Sequence, residues 1–394
     1  MSDDKTLKPG WKIWRFDQMA TNVNVRIDNP SESGMEHYVG LEHLDADSLK
    51  IRRWGTPDDV EATKLMFKKG DIIFGRRRAY QRKLGVAEFD GICSAHAMVL
   101  RAKPDVVLPE FLPFFMQSDL FMKRAVEISV GSLSPTINWK TMAVQKFALP
   151  PVEEQKSAVA LLRAAADHCY ALEDVYVSTG RLLQALKDSL LGLNGYELAK
   201  SHLLGDLLLG SPESGCSAPP KDAATGYFVL GLAALSREGY VSGDFKPVEP
   251  TSKMVAAKLS LGDMLISRSN TVDRVGYVGI FSDNRDDVSF PDTMMRLRPN
   301  PALVRPDFLE ALLQTTSARE FLMRIAAGTS ASMKKINRAN LLQMRLNVPT
   351  LDDQDSALSQ LGELKKAMAA QKLRWDAAHQ LAKLIATRTI GGAA

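Results

Sequence analysis

The sequence predicts an α+β chain of two tandem mixed α/β domains, each followed by one long α-helix, with the two helices pairing as an antiparallel coiled coil. Three observations carry that prediction. The chain repeats itself at a spacing of about 195 residues. Each copy joins short β-type runs to a proline-led helical stretch, and each closes on about forty residues of helical periodicity. The 394 residues suit two or three domains at ~100–200 residues apiece. With 45% hydrophobic and 24% charged residues the composition is globular, which excludes wholesale disorder, collagen-like repeats and a disulfide miniprotein.

The repeat decides how every later segment is read. Gly70-Asp71-Ile72-Ile73-Phe74-Gly75-Arg76-Arg77 matches Gly262-Asp263-Met264-Leu265-Ile266-Ser267-Arg268-Ser269, 192 positions on. Leu108-Pro109-Glu110-Phe111-Leu112 matches Arg305-Pro306-Asp307-Phe308-Leu309 at 197, a spacing shared by Gln117-Ser118 with Gln314-Thr315 and by Gly131 with Gly328. Ile137-Asn138, Leu149-Pro150 and Gln155 match Ile336-Asn337, Val348-Pro349 and Gln354 at 199. A drift of seven positions over so many ordered pairs marks two diverged copies of one unit, far longer than a solenoid period.

In each copy a globular part comes first, about 11–149 and 201–347. Its β-type runs, 70–75, 98–101, 262–267 and 294–298, are bounded by Gly, Pro and Asp turns. Helical stretches follow at 109–130 and 306–327, with proline near each start, where its missing N–H costs nothing. Behind Pro150-Pro151, apolar residues such as Val159, Leu162, Cys169, Tyr176, Leu183 and Leu190 recur at helical steps over 152–191. Behind Pro349, Leu358, Leu361, Met368, Trp375 and Ile385 do the same over 352–390. Glu153, Glu154, Asp352 and Asp353 open these helices and Arg388 lies near the second one's end, in keeping with the helix dipole. Forty residues span ~60 Å. A helix so long with a narrow apolar stripe needs a partner: the other copy's helix, as a coiled coil, or its own globular part. Gly180 weakens the first helix by ~1 kcal/mol relative to Ala and marks a place for a kink.

Composition and the motifs the chain lacks exclude several classes of function. The net charge of +4 is too mild to imply a partner, so a nucleic-acid reading must rest on local clustering. Cys93, Cys169 and Cys216 are far apart and form no CxxC, which argues against a compact zinc site and suits buried thiols in a reducing cytoplasm. The polar start MSDDKTLKPG has no signal-peptide core, and no run of ~18 apolar residues exists, so a soluble cytoplasmic chain without a membrane partner is expected. Nucleotide-binding glycine loops and the His-Glu-x-x-His zinc motif are absent, as is the Asn/Asp-Pro-Pro-Tyr/Phe motif of amino-methyltransferases. His37, His43, His96, His168, His202 and His379 form no helix-face metal pair. Ser94 and His96 would share one face of a strand, as a nucleophile pair or as a groove or core pair. No catalytic residue, cofactor site or metal site is assigned.

The densest basic stretch is 64–83, where Lys64, Lys68, Lys69, Arg76, Arg77, Arg78, Arg82 and Lys83 face one acid, Asp71, with Tyr80 and Gln81 interleaved. Such a loop neutralises phosphates, and Arg and Gln read base edges bidentately, although a solvated charged loop has the same composition. The second copy places Arg268, Ser269, Asn270 and Arg274 at the corresponding positions. A second element follows each proline-led helix: 131–140, with Asn138 and Lys140, and 328–338, with Lys334, Lys335 and Asn337. Its small hydroxylated residues suit phosphate contacts, or a helix cap at Ser134 or Thr136.

On the duplicated Gly-Asp-Ile-Ile-Phe-Gly-Arg and Gly-Asp-Met-Leu-Ile-Ser-Arg-Ser runs, and on the junction Leu149-Pro150-Pro151-Val152-Glu153-Glu154-Gln155, the chain resembles the DNA-specificity subunits of type I restriction-modification systems. The second junction, Val348-Pro349-Thr350-Leu351-Asp352-Asp353-Gln354, departs from the family's Pro-Pro-x-x-Glu-Gln pattern, and Gly75-Arg76 departs from the Ser-Arg wording that Ser267-Arg268 keeps. The resemblance implies a target-recognition domain over 1–150, a spacer helix over 151–192, a second recognition domain over 193–348 and a second spacer helix over 349–394. It implies that each domain reads half of a split double-stranded DNA target while the helices set the spacing and dock two DNA methyltransferase subunits. S-adenosylmethionine, ATP and Mg are then expected on partner subunits, including a restriction/translocase subunit, and none in this chain. The rival classes are a single-chain DNA-modifying or DNA-cutting enzyme, against which the missing motifs argue, and a coiled-coil protein-binding adaptor.

Overall fold

The repeated Gly-Asp pair explains itself in the backbone. Gly70 and Gly262 hold φ near +90°, a conformation glycine adopts at no steric cost. The aspartate after it folds back on the turn: Asp71 accepts from the Lys68 N–H at 2.8 Å and Asp263 from the Ser260 N–H at 2.9 Å. An arginine from a neighbouring strand closes each turn, Arg101 Nε on Asp71 at 2.7 Å and Arg296 Nη1 on Asp263 at 2.8 Å. The computed structural model describes residues 7–191, 200–223, 225–328 and 333–391. They fall into two units, Met1–Asp174 with Leu373–Ala394, and Val175–Lys372.

In the first unit the turn launches strand Ile72–Gly75, buried along its whole length. It lies between antiparallel strands Leu84–Val86 and Ala97–Ala102, with Ala20–Val23 beyond the latter. The two-residue side-chain period sends Ile72 and Phe74 into a core with Phe16, Phe111, Phe115 and Phe121. Ile73 points the other way, with Val39, Leu65 and Val99, toward a second sheet of Arg26–Ile27, Lys64–Phe67, Gly91–Ser94 and Tyr38–Val39. The second unit repeats the plan. Met264–Ser267 lies between Val278–Ile280 and Met294–Leu297, with Glu213–Ser214 outermost; Met264 and Ile266 enter one core and Leu265 the other.

The helical stretches expected at 109–130 and 306–327 are each two helices, Phe111–Gln117 and Asp119–Glu127, then Pro306–Leu313 and Thr316–Ile325. The breaks are made by Ser118 and Thr315. Both are extended and use their hydroxyls twice, donating to the carbonyl of Phe115 or Leu312 and accepting from the N–H of Phe121 or Ala318.

The long helices run Val152–Leu191 and Leu351–Ile390, forty residues each, and Gly180 does not interrupt the first. A fully buried glutamine seats each start. Gln155 accepts from Leu108 N–H and donates to the carbonyls of Val106 and Pro150; Gln354 accepts from Arg305 N–H and donates to Leu303 and Pro349. In the first unit Ala158, Val159 and Leu162 of one helix share a core with Ile385, Ala386 and Ile390 of the other. In the second unit Leu183, Leu186, Leu190 and Leu191 share one with Ala357, Leu361, Leu364 and Met368. Each helix segment thus packs on the globular core and on the other helix together. Among the described residues no helix is long and apolar enough to cross a membrane.

Candidate nucleic-acid interface

In both units the two polar elements singled out in the sequence meet at the end of the buried strand. In the first, the Ile137 N–H donates to Arg76 O at 3.0 Å and the Arg78 N–H to Pro135 O at 2.7 Å, while Arg77 bridges Thr136. Ser134 Oγ gathers the arginines, accepting from Arg77 Nη2 at 3.2 Å and from Arg78 Nε and Nη2 at 3.3 and 3.2 Å. Arg76 Nη2 donates to Ala95 O, but its Nε is buried without a partner. Arg78 and Arg82 hold positive φ on either side of the turn Ala79–Gln81, at about 1 kcal/mol each. Tyr80 is 53% exposed on that turn.

The second unit repeats the junction with other side chains. The Ile336 N–H donates to Arg268 O at 2.9 Å, and Ser269-Asn270 pairs as a strand with Lys334-Lys335. Arg268 Nε, like Arg76 Nε, is buried without a partner. Ser269 and Asn270 are buried; Asn270 Nδ2 donates to Ser267 Oγ, and its Oδ1 accepts from Thr271 N–H. Lys334 Nζ reaches Gly328 O, and Lys335 is exposed. The counterpart stretch 329–332 lies outside the described residues.

The basic stretch 64–83 is not one loop. Lys64 is 7% exposed within strand Lys64–Phe67, and Lys68 and Lys69 sit at the turn before strand Ile72–Gly75, at the opposite end from Arg76–Arg78. Four strand residues at ~3.3 Å each separate the two groups. Arg82 is engaged on every side, with Asp47 at 2.5 Å, Asp119 at 3.1 Å and the Gln117 carbonyl at 2.7 Å. Its counterpart Arg274 is half exposed, with Asp273 4.0 Å away. Lys83 Nζ donates to Leu41 O, and Gln81 sits in the turn beside Tyr80. The cap expected at Ser134 or Thr136 falls instead to Asn138, because the short helix begins only at Trp139; Asn337 caps the matching helix at Arg338. Both asparagines, and Lys140, remain exposed.

Ser94 and His96 form no nucleophile pair: Ser94 Oγ accepts from the His96 backbone N–H at 3.2 Å. The His96 ring lies 3.5 Å from Arg77 Nη1. Burial and then the charges of Arg77, Arg76 and Lys64 push the pKa of its imidazole below the ordinary value. Sequence reading missed Arg319, which donates to the carbonyls of Val275 and Asp273 and lies 4.6 Å over the Tyr277 ring, bracing the loop that carries Arg274. Its spacing from that loop, more than forty residues, left no local signal.

Residues 56–174 match the type I restriction modification DNA specificity domain. The chain is 28% identical over 151 residues to the type I restriction enzyme EcoDI specificity subunit of Escherichia coli, an alignment spanning 38% of this chain and a third of that protein. The fold is similar to a chain from a solved type I R-M system assembly (TM-score 0.58, 20% identity, covering 98% of this chain and 99% of the other). It is also similar to the S subunit of a type I restriction-modification system from M. genitalium (TM-score 0.50, 12% identity, covering 99% and 98%). Residues 56–174 carry the match in sequence, and over them the chain is similar to the DNA specificity domain of type I restriction-modification systems.

Proposed function

We propose that this chain is a non-catalytic DNA-specificity subunit in which each unit reads one half of a bipartite double-stranded target. In this reading the long helices pair as an antiparallel coiled coil, set the spacing between half-sites and dock two DNA methyltransferase subunits. S-adenosylmethionine, ATP and Mg belong to those partners and to a restriction/translocase subunit. One observation supports the reading above the others: the same strand-end junction is built twice, with Arg76 and Arg268 at one position but different residues around them. Identical placement suits a shared duplex, and divergent side chains suit two different half-sites. Arg76, Arg77, Arg78, Arg268, Arg274, Lys140, Lys335, Asn138 and Asn337 are the side chains positioned for DNA; Arg82, Lys83 and Lys334 brace the loops. Major-groove readout from Arg and Asn and phosphate contacts from Lys follow their donor geometry.

The test is a domain exchange. Replacing residues 11–149 with the same region of a relative, in a host carrying the methyltransferase, should change one half of the methylated sequence and leave the other intact. Methylation mapping that finds both halves altered, or neither, removes independent reading.

A further inference from the structure

The two long helices have equal length and run at a constant separation of 199 positions, so each side chain of one has a counterpart in the other. The second unit uses this to fill a space. Lys187 is 4% exposed, and its Nζ donates to Gln314 Oε1 at 2.7 Å; Leu183 and Met368 line the same pocket as Lys187, and Leu364 packs on the core they share. In the first unit the counterparts of Lys187, Leu183, Leu364 and Met368 are Ala386, Ala382, Ala165 and Cys169, all shorter. They line an open cavity of about 290 Å³, near the lower bound of small-ligand sites.

The polar end of the space is kept. Gln117, the counterpart of Gln314, lines the cavity; its Nε2 is buried without a partner, and among the described residues no donor reaches its Oε1. The charge balance is kept as well. Lys365 and Arg237 act on Lys187 against Glu310 and Glu238. At the cavity Arg82 and Lys383 are set against Asp47 and Asp119, through contacts of 2.5, 3.1 and 3.4 Å. The first unit therefore offers the surroundings of a buried lysine head group without the lysine.

We infer that this cavity is a binding site for a small primary aliphatic amine, its alkyl chain lying against Leu162, Ala165 and Cys169 and its ammonium donating to Gln117 Oε1. Leu162 is the counterpart of the buried Leu361, so the apolar floor is common to both units. The site is separate from the strand-end junction proposed to meet DNA and does not depend on that reading.

The probe is n-butylammonium chloride, which is the lysine side chain released at Cβ, titrated into the full chain at constant ionic strength and followed by calorimetry or ligand-observed NMR. Saturable one-to-one binding with a roughly millimolar Kd is expected. 1-Butanol, which lacks the charge, should bind at least about tenfold more weakly, as should n-butylammonium to Gln117→Leu. Ala386→Lys supplies the ammonium from the helix itself, so it should abolish n-butylammonium binding and raise Tm by roughly 2–4 °C. Cys169→Met fills the same space from the other helix and should also block the amine if Ala386→Lys does not fold. Absence of saturable binding up to about 50 mM, or equal binding by wild type and a folded cavity-filling variant, overturns the assignment.

Discussion

Arg268 and Arg76 occupy equivalent positions, yet among the described residues only the Arg76 guanidinium has a hydrogen-bond partner, the Ala95 backbone carbonyl. An arginine whose guanidinium is uncommitted loses nothing internal when it turns to a base edge. On the proposed function, Arg268→Ala is the more damaging single change, costing about 1–3 kcal/mol on the cognate site and little on nonspecific DNA. The triple change Arg76→Ala, Arg77→Ala, Arg78→Ala should weaken specific and nonspecific binding alike and shrink the log–log salt slope by ~0.9 for each phosphate no longer neutralised. Competition binding at two salt concentrations reads both; wild-type affinity and slope in a folded triple variant would remove the loop from the interface. Lys187 makes a different residue-scale prediction. Burial is the main cause that pushes its ammonium down to about 8 from 10.5, so between those values the unfolded chain holds more protons than the folded one. Stability contributed by this residue therefore rises with pH across that window. Urea midpoints at about pH 7.5 and 9.5 should separate less in Lys187→Met than in wild type.

At the scale of elements, the long helices are anchored by hydrogen bonds rather than by apolar contact alone. Gln155 and Gln354 each satisfy three backbone groups at the helix entry while themselves fully buried. Replacing either with Leu leaves those groups unpaired in the interior and should cost about 2–4 kcal/mol in chemical unfolding. Glu is the informative second substitution, because its carboxylate keeps the acceptor and loses both donors, so it should destabilise as well. The breaks at Ser118 and Thr315 belong to the same scale. One hydroxyl ends a helix and starts the next, which turns a single predicted stretch into a corner and brings the segment after it back to the strand end.

For the whole molecule, the spacing of the two junctions is the quantity that function would select. On the proposed reading, four residues inserted into either long helix lengthen it by ~6 Å and rotate the attached domain by ~40°. The gap between methylated half-sites should then lengthen, or binding should fail; an unchanged gap with unchanged affinity would leave the helices without a spacing role. A symmetric pair of insertions at matched positions, 199 apart, is expected to be better tolerated than either alone, since it keeps the helices in step.

The local periods of this chain were legible without coordinates. Short β-type runs opened by a Gly-Asp turn marked Ile72–Gly75 and Met264–Ser267, and three- and four-residue steps marked both forty-residue helices to within a residue of their ends. The internal repeat was legible for the same reason, because paired positions keep their order whatever their neighbours do. What the tertiary structure alone decided is which charges are free. Arg82 and Arg274 are equivalent in sequence, but Asp47 and Asp119, each more than thirty residues away, occupy the first while the second faces solvent. Lys64 belongs to the same basic run as Arg77 yet is buried in a strand. The cavity beside Cys169 likewise depends on four short side chains from two helices more than two hundred residues apart. A side chain's period is written by its neighbours in the chain; its electrostatic and packing partners are delivered by the fold, and those decide whether it braces the protein or meets a ligand.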